Sequence, residues 1–391
     1  MAVAVLVALI AAPLASSLLG QQQGKGPGTP GAGTVIVPGQ TVTASPTVTL
    51  SGLPHVQGNR IVDSSGRPVI LRGAQIEGVF NVAQPGPTDL LATNDFASTV
   101  KVMGQQWHMN ALRLPTCNWL WQANPTSYMS RLQTAVQQAN AAGLYVVIEA
   151  HDDHRCNPPY NAQDPVHLPR PQLKAYWQAV ANTFKNNPMV IFDVYNEPAL
   201  RNVNRDQYTA QDWQLWLNGG QQNGETFTGM QELVDAVRST GAQQIIMVEG
   251  YSFAETFYNI GSNVIHDPNI VYEIHEYGMN RTPDDWNKDF GFMSTTYPVF
   301  IGEWALMGGG NSGQVNCHNI APSQANQVVL NFLNYMASHN MSWTAYAFTE
   351  GHMLQNYSAY TPTTFDFNWT CGQNSPVPGM GAVVKQYLLS H

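Results

Sequence analysis

The sequence predicts an α/β protein, a single (β/α)₈ TIM barrel over residues 55–391, preceded by a disordered linker. Two observations carry this prediction. Short, nearly continuous apolar runs recur along the chain, as parallel strands buried on both faces require. Amphipathic segments of helical period lie between most of them, and that alternation favours a closed barrel over a doubly wound open sheet. A length of 391 residues suits two or three average domains, or one barrel of about 250 residues with insertions.

Residues 1–20 are an uncharged apolar run, and the first charge is Lys25. This is the pattern of a secretory signal peptide or a short membrane anchor, and the small residues Ala15, Ser16 and Ser17 permit cleavage. Residues 21–54 are rich in Gly, Pro, Thr, Val and Gln and cannot bury a core of their own. Gly26, Gly28 and Gly31 fit a GxGxxG pattern, but no strand precedes it and no helix follows, so it is not a dinucleotide site.

Strands are predicted at 69–73, 111–115, 145–150, 190–195, 245–249, 271–275, 299–302 and 343–348. Helices are predicted at 128–142, where Met129, Leu132, Val136 and Ala139 share a face before Gly143, and at 173–184, 230–237, 325–336 and 383–389.

Composition narrows the partners. Charged residues are only 11%, against about 25% in an average domain, yet 10% aromatics exclude a disordered chain. With 17 basic and 26 acidic residues the net charge is −9. That leaves no electrostatic footprint for nucleic acid and disfavours an anionic membrane surface. Asn, Gln, Ser and Thr supply the polarity instead, which suits an exported protein handling a neutral, hydroxyl-rich ligand. The four cysteines, Cys117, Cys156, Cys317 and Cys371, contain no CxxC pair. An even count in an exported chain predicts two disulfides, with connectivity open among three possibilities.

The active sites of such barrels lie at the C-terminal ends of the strands. Arg113 stands at the end of the second strand, His151 at the third, and Asn196 and Glu197 at the fourth. His275 and Tyr277, two apart and on one strand face, end the sixth, Glu303 and Trp304 the seventh, and Tyr346 and Phe348 the eighth. Two glutamates from opposite sides of one mouth are what retaining glycoside hydrolysis needs: one protonated acid, one ionised nucleophile, about 5–5.5 Å apart. Glu149, Asp193, Glu249, Glu273 and Glu276 are rival carboxylates, read as structural or supporting groups because none has the flanking pattern of the chosen pair.

That pattern is VYNEPA (194–199) and FIGEWA (300–305). Together with GNRIVDSSGRPVILRG (58–73), ALRLP (111–115), EAHDD (149–153) and EIHEYG (273–278), it resembles glycoside hydrolase family 5, the cellulase family of clan A, and within it secreted bacterial-type endoglucanases. The resemblance covers about residues 55–391. It implies Glu197 as acid/base, Glu303 as nucleophile, Asn196 as the contact to the sugar 2-hydroxyl, and Arg113 and Tyr277 as partners of Glu303. His151 and His275 would line the sugar site. Phe348 takes the position where the family has a tryptophan floor under the reacting sugar. Trp119 and Trp304, with Trp121, are the better platform candidates among the tryptophans.

The resulting expectation is an exported, monomeric endo-β-1,4-glucanase acting on β-glucan polysaccharide or oligosaccharide, with no cofactor and no metal. A mannanase or another β-glycan hydrolase is the alternative within the family, and a non-catalytic glycan-binding barrel the alternative outside it. HxxH at His151 and His154 sits on a strand exit, not on a helix, and does not make a zinc motif. Cys117 and Cys156 follow neighbouring strands and form one plausible pair, with Cys317 and Cys371 the other.

Overall fold

The structure, a computed structural model, describes residues 52–80, 95–151, 164–277, 281–306, 322–365 and 379–391. The signal or anchor segment, all but the last three residues of the linker, His154, Cys156, Cys317 and Cys371 lie outside these residues. Cys117 is disulfide-bonded.

Eight parallel strands close a barrel in sequence order. They are β1 (Arg72–Gln75), β2 (Ala111–Thr116), β3 (Tyr145–Ala150), β4 (Val190–Asp193), β5 (Ile246–Glu249), β6 (Ile270–Glu276), β7 (Val299–Trp304) and β8 (Ser342–Ala345). Closure runs through β8 on β1, where Trp343, Thr344 and Ala345 pair with Arg72, Gly73 and Ala74. All eight predicted strands are present. The first begins three residues later than predicted because Val69 donates its N–H to Ile61 and belongs to the hairpin before the barrel.

The main helices outside the strands are α1 (Asp95–Gln106), α2 (Pro125–Ala141), α3 (Leu173–Phe184), α4 (Met230–Arg238), α5 (Pro283–Asp289), α6 (Pro322–Ser338) and α7 (Gly381–Ser390). Helix α2 starts a turn before its apolar stripe because Asn124 accepts the Ser127 N–H and Pro125 takes the first helical position. Between β5 and β6 the chain has only the short turn Tyr251–Ala254, with Ser252 and Phe253 in left-handed conformations. Among the described residues no helix is long and apolar enough to cross a membrane.

Strand alternation divides the barrel interior into two storeys. Ala111, Tyr145, Val147, Ile191, Met247, Val271 and Phe300 fill the lower one as an apolar cluster, and Ile61 of the preceding hairpin packs onto it. On β2 to β6 the next inward positions are charged: Arg113, Glu149, Asp193, Glu249 and Glu273, all buried. The outward positions, such as Val146, Ile148 and Ala150 of β3, join the larger apolar layer under the helices.

The approach of β1 to β2 is tight. A Cβ on Gly73 would lie 1.8 Å from the carbonyl oxygen of Ala111 on β2. Gly73→Ala is expected to force β1 and β2 apart and to lower stability by about 2–3 kcal/mol, read as a reduced urea midpoint at unchanged m-value.

Candidate active site

The charged storey is organised around Arg113, which has no exposed surface. Its Nη1 donates to Glu303 Oε1 at 2.7 Å and to Gln75 Oε1 at 2.5 Å. Its Nη2 donates to Glu249 Oε1 at 2.8 Å, Asp193 Oδ2 at 3.0 Å and Asn196 Oδ1 at 3.1 Å. Its Nε pairs with Glu273 Oε1 at 3.1 Å, and Nη1 lies 3.5 Å from Glu149 Oε2. One cation therefore faces carboxylates from β3, β4, β5, β6 and β7.

Glu303 reaches this cluster through a register shift. β6 pairs with β7 as Ile274 to Ile301, and then as His275 to Glu303, with a bulge between. Gly302 is the residue passed over, and a Cβ there would fall 1.5 Å from Glu273 Oε1. Only glycine leaves room for that carboxylate, which explains the glycine of the GEW motif. The bulge re-aims Glu303 toward His275, a common use of bulges beside active sites.

Tyr277 donates its hydroxyl to Glu303 Oε2 at 2.7 Å. Burial works against ionisation of Glu303, but His275, Arg113, His151 and the Tyr277 hydroxyl outweigh it and pull the carboxyl down to about 2. Burial likewise opposes a charged His275, and the carboxylates of Glu249 and Glu303 with the bond to Glu197 overcome it, so the imidazole titrates well above its usual range. Its Nδ1 donates to Glu197 Oε1 at 3.1 Å and lies 3.7 Å from Glu303 Oε2.

Glu197 sits just past β4 with φ of 52°, a left-handed conformation rare for a residue with a Cβ. Its N–H donates to Glu249 Oε2 at 2.6 Å, and its carbonyl accepts from His167 Nδ1 at 2.6 Å. Its side chain is 27% exposed, against 4% for Glu303. A carboxylate oxygen of each glutamate and a nitrogen of His275 all lie within 4.8 Å of one another. Atoms of Glu249, Glu273 and His275 make a second such group. The guanidinium of Arg113 already bonds or pairs with Glu249, Glu273 and Glu303, so the cation these carboxylates surround is part of the chain.

The residues predicted for the site divide clearly. Arg113, Asn196, Glu197, His275, Tyr277 and Glu303 converge as described. His151 is beside them, its Nδ1 3.1 Å from Glu149 Oε2. Trp119 is half-buried in the short helix Asn118–Ala123 that follows β2. Two assignments are corrected. Trp304 is fully buried and packs edge-on against Trp343 and Phe332 at 5.4 and 5.7 Å. It follows inward-facing Glu303 and so points into the helix layer, where no sugar reaches it. Phe348 is also fully buried, edge-on to Trp107 at 4.9 Å. β8 ends at Ala345, and the turn beyond it carries Phe348 back into the core, its N–H donated to Gln75.

Tyr346 takes the position at the mouth expected of Phe348. Its ring meets Tyr277 edge-on at 6.0 Å, and its hydroxyl donates to Glu77 Oε2 at 2.8 Å. Gln75 Nε2 donates to Glu77 Oε1 at 3.2 Å, which links Tyr346 to Arg113. Sequence reasoning missed Gln75 and Glu77, although their spacing past the first strand is the same alternation that revealed the other strand ends.

The chain matches the family model for cellulase (glycosyl hydrolase family 5) over residues 62–351. It belongs to glycosyl hydrolase family 5. An endoglucanase of Clostridium saccharobutylicum is 24% identical over 304 residues, covering 77% of this chain and 58% of that protein. Endo-β-1,4-glucanase B of Aspergillus niger is 28% identical over 241 residues, 55% of this chain and 60% of the relative. The chain thus spans little more than half the length of these family 5 relatives. Among solved structures, a β-glucanase of Saccharophagus degradans in complex with cellotetraose superposes with a TM-score of 0.65 at 19% identity, covering 90% of this chain and 98% of that one. The barrel of this family 5 chain therefore shares the fold of that β-glucanase.

The site also sets how stability responds to pH. Glu303, held down to about 2 from an ordinary 4.5, contributes stability above 4.5 that is lost as pH falls toward 2. Burial and the repulsion of Glu273 and Glu249 raise Asp193 well above its usual range against the pull of Arg113, and the carboxylates of Glu249 and Glu303 raise His275 well above its own despite burial. These two contribute stability below their ordinary values that is lost as pH rises through the raised ones. Scanning calorimetry is expected to place the highest Tm near about pH 5, with lower values toward both pH extremes.

Proposed function

We propose that this chain is an exported, retaining endo-β-1,4-glucanase. The observation that carries the reading is the approach of Glu197 and Glu303 oxygens to within 4.8 Å. Oxygens this close suit carboxyl groups about 5–5.5 Å apart, as in retaining enzymes, better than the roughly 6.5–9.5 Å that leaves room for water in inverting ones. Family membership and relatives named as endoglucanases support β-1,4-glucan as substrate. The disulfide at Cys117 supports an oxidising, extracellular destination.

Glu303, ionised at working pH, attacks the anomeric carbon while Glu197 protonates the departing glycosidic oxygen. Arg113 and the Tyr277 hydroxyl each hold one oxygen of Glu303, which fixes the attacking lone pair. Water then attacks C1 as Glu197 takes its proton, the bond between C1 and Glu303 breaks to free the carboxylate, and C1 regains its original configuration. Arg113 fixes Asn196 Oδ1, which orients the amide nitrogen toward the sugar 2-hydroxyl. Tyr346, beside Tyr277, offers the aromatic surface under the reacting sugar.

Glu197→Gln and Glu303→Gln are each expected to lower kcat on barley β-glucan by about 10³-fold or more, with circular dichroism unchanged. Proton NMR of the first products from cellopentaose is expected to show the β-anomer. An α-anomer would overturn retention. A panel of carboxymethyl cellulose, β-glucan, glucomannan, galactomannan and xylan tests the substrate. Dominant mannan hydrolysis would replace the glucan assignment, and silence of the wild type on every polymer would overturn the reading.

A further inference from the structure

Glu249 belongs to neither half of the catalytic pair, yet it bonds the main chain of the acid/base residue. It ends β5, which pairs with β4 on one side and β6 on the other, and is fully buried. Its two oxygens do different things. Oε2 accepts the backbone N–H of Glu197 at 2.6 Å. Oε1 accepts Arg113 Nη2 at 2.8 Å and lies 3.5 Å from His275 Nε2, on the ring whose other nitrogen bonds the Glu197 carboxylate. One carboxyl thus holds the acid/base residue at its main chain and lies beside the imidazole that bonds its side chain.

Glu197 needs such a hold. A non-glycine residue with φ near +50° persists only where its surroundings over-determine the conformation. The groups fixing it are few: His167 at the carbonyl, Glu249 at the N–H, and His275 at the carboxyl. Asp193 and Glu273 share Arg113 with Glu249 but have no bond to Glu197.

We propose that Glu249 is a positioning residue for proton transfer, holding the left-handed Glu197 so that its carboxyl meets the leaving-group oxygen. The proposal rests on the assignment of Glu197 as acid/base. Both Glu249 oxygens act as acceptors, so neither close substitute can replace it. Gln presents an NH₂ group to one of two donors, and Asp falls a methylene short of Glu197.

The test compares two substrates by kcat/KM, which reports the first chemical step. Cellotetraose needs a proton on its leaving oxygen; 2,4-dinitrophenyl β-cellobioside releases a stable phenolate and does not. Glu249→Gln and Glu249→Asp are each expected to lower kcat/KM on cellotetraose by about 10–100-fold, within the range for general acid catalysis. On the aryl substrate the loss is expected to stay within about threefold. Equal losses on both substrates would mean general damage around Arg113 and would overturn the proposal, as would no loss on either. A wild type silent on both substrates would instead overturn the glycosidase assignment itself.

A measurement on the unmodified protein covers the case in which both variants fail to fold. The sequence contains a single Asn–Glu step, Asn196–Glu197, so carbonyl-labelled Asn with ¹⁵N-labelled Glu isolates one amide signal. A downfield proton protected from exchange is expected for an N–H bonded to a buried carboxylate. An ordinary shift with rapid exchange would overturn the proposal.

Discussion

Burying Arg113 removes a full positive charge from water, a cost of several kcal/mol that only close, well-oriented partners offset. The barrel meets it with five carboxylates, one from each of β3 to β7. Five negative charges around one arginine and one histidine cannot all persist in a dry interior, so the acids divide. Glu303 has Arg113, His275 and Tyr277 upon it and stays ionised. Asp193 meets burial and the repulsion of Glu273 and Glu249, which outweigh Arg113 and drive it toward the protonated form. The same cluster that makes the arginine tolerable selects which carboxylate carries charge, and separating the pKa values of neighbouring acids is how enzymes assign acid and nucleophile roles.

Backbone irregularities place these groups. The β6–β7 bulge turns Glu303 toward His275, and Gly302 exists to let Glu273 lie against the strand. The left-handed turn at Glu197 does the same for the other glutamate on the far side. Regular strands alone would give inward side chains in register; these two departures give convergence. Both stand where a side chain contacts its neighbour's backbone or displaces a Cβ, so their cost is tied to the site and not to the barrel as a whole.

The barrel was legible because its signal is periodic. Buried parallel strands read as unbroken apolar runs, and eight of them fell in order. The proposed catalytic pair was legible because NEP and GEW sit where strands end. What sequence could not carry was direction past a strand's last residue. Trp304 is one step from Glu303, and one step reverses a side chain from mouth to helix layer. Phe348 shares parity with Tyr346, but β8 stops at Ala345, and parity ends with the strand. Glu249 has no motif around it. Its importance depends on contacts with residues 52 and 136 positions away, Glu197 and Arg113, which no local pattern encodes.

The unequal exposure of the two glutamates follows from the same architecture and fits the proposed division of labour. Glu303, at 4% exposure, sits down in the charged storey, where every bond it makes favours the anion and water cannot compete for its lone pairs. A nucleophile gains from that seclusion, because its partners are already oriented when charge leaves it for the sugar. Glu197, at 27%, stands higher at the rim, held by its backbone. An acid/base must give a proton away and take one from water in each cycle, so it needs access that the nucleophile does not. The main-chain grip reconciles these demands: it fixes where the Glu197 carboxyl emerges without enclosing the carboxyl itself.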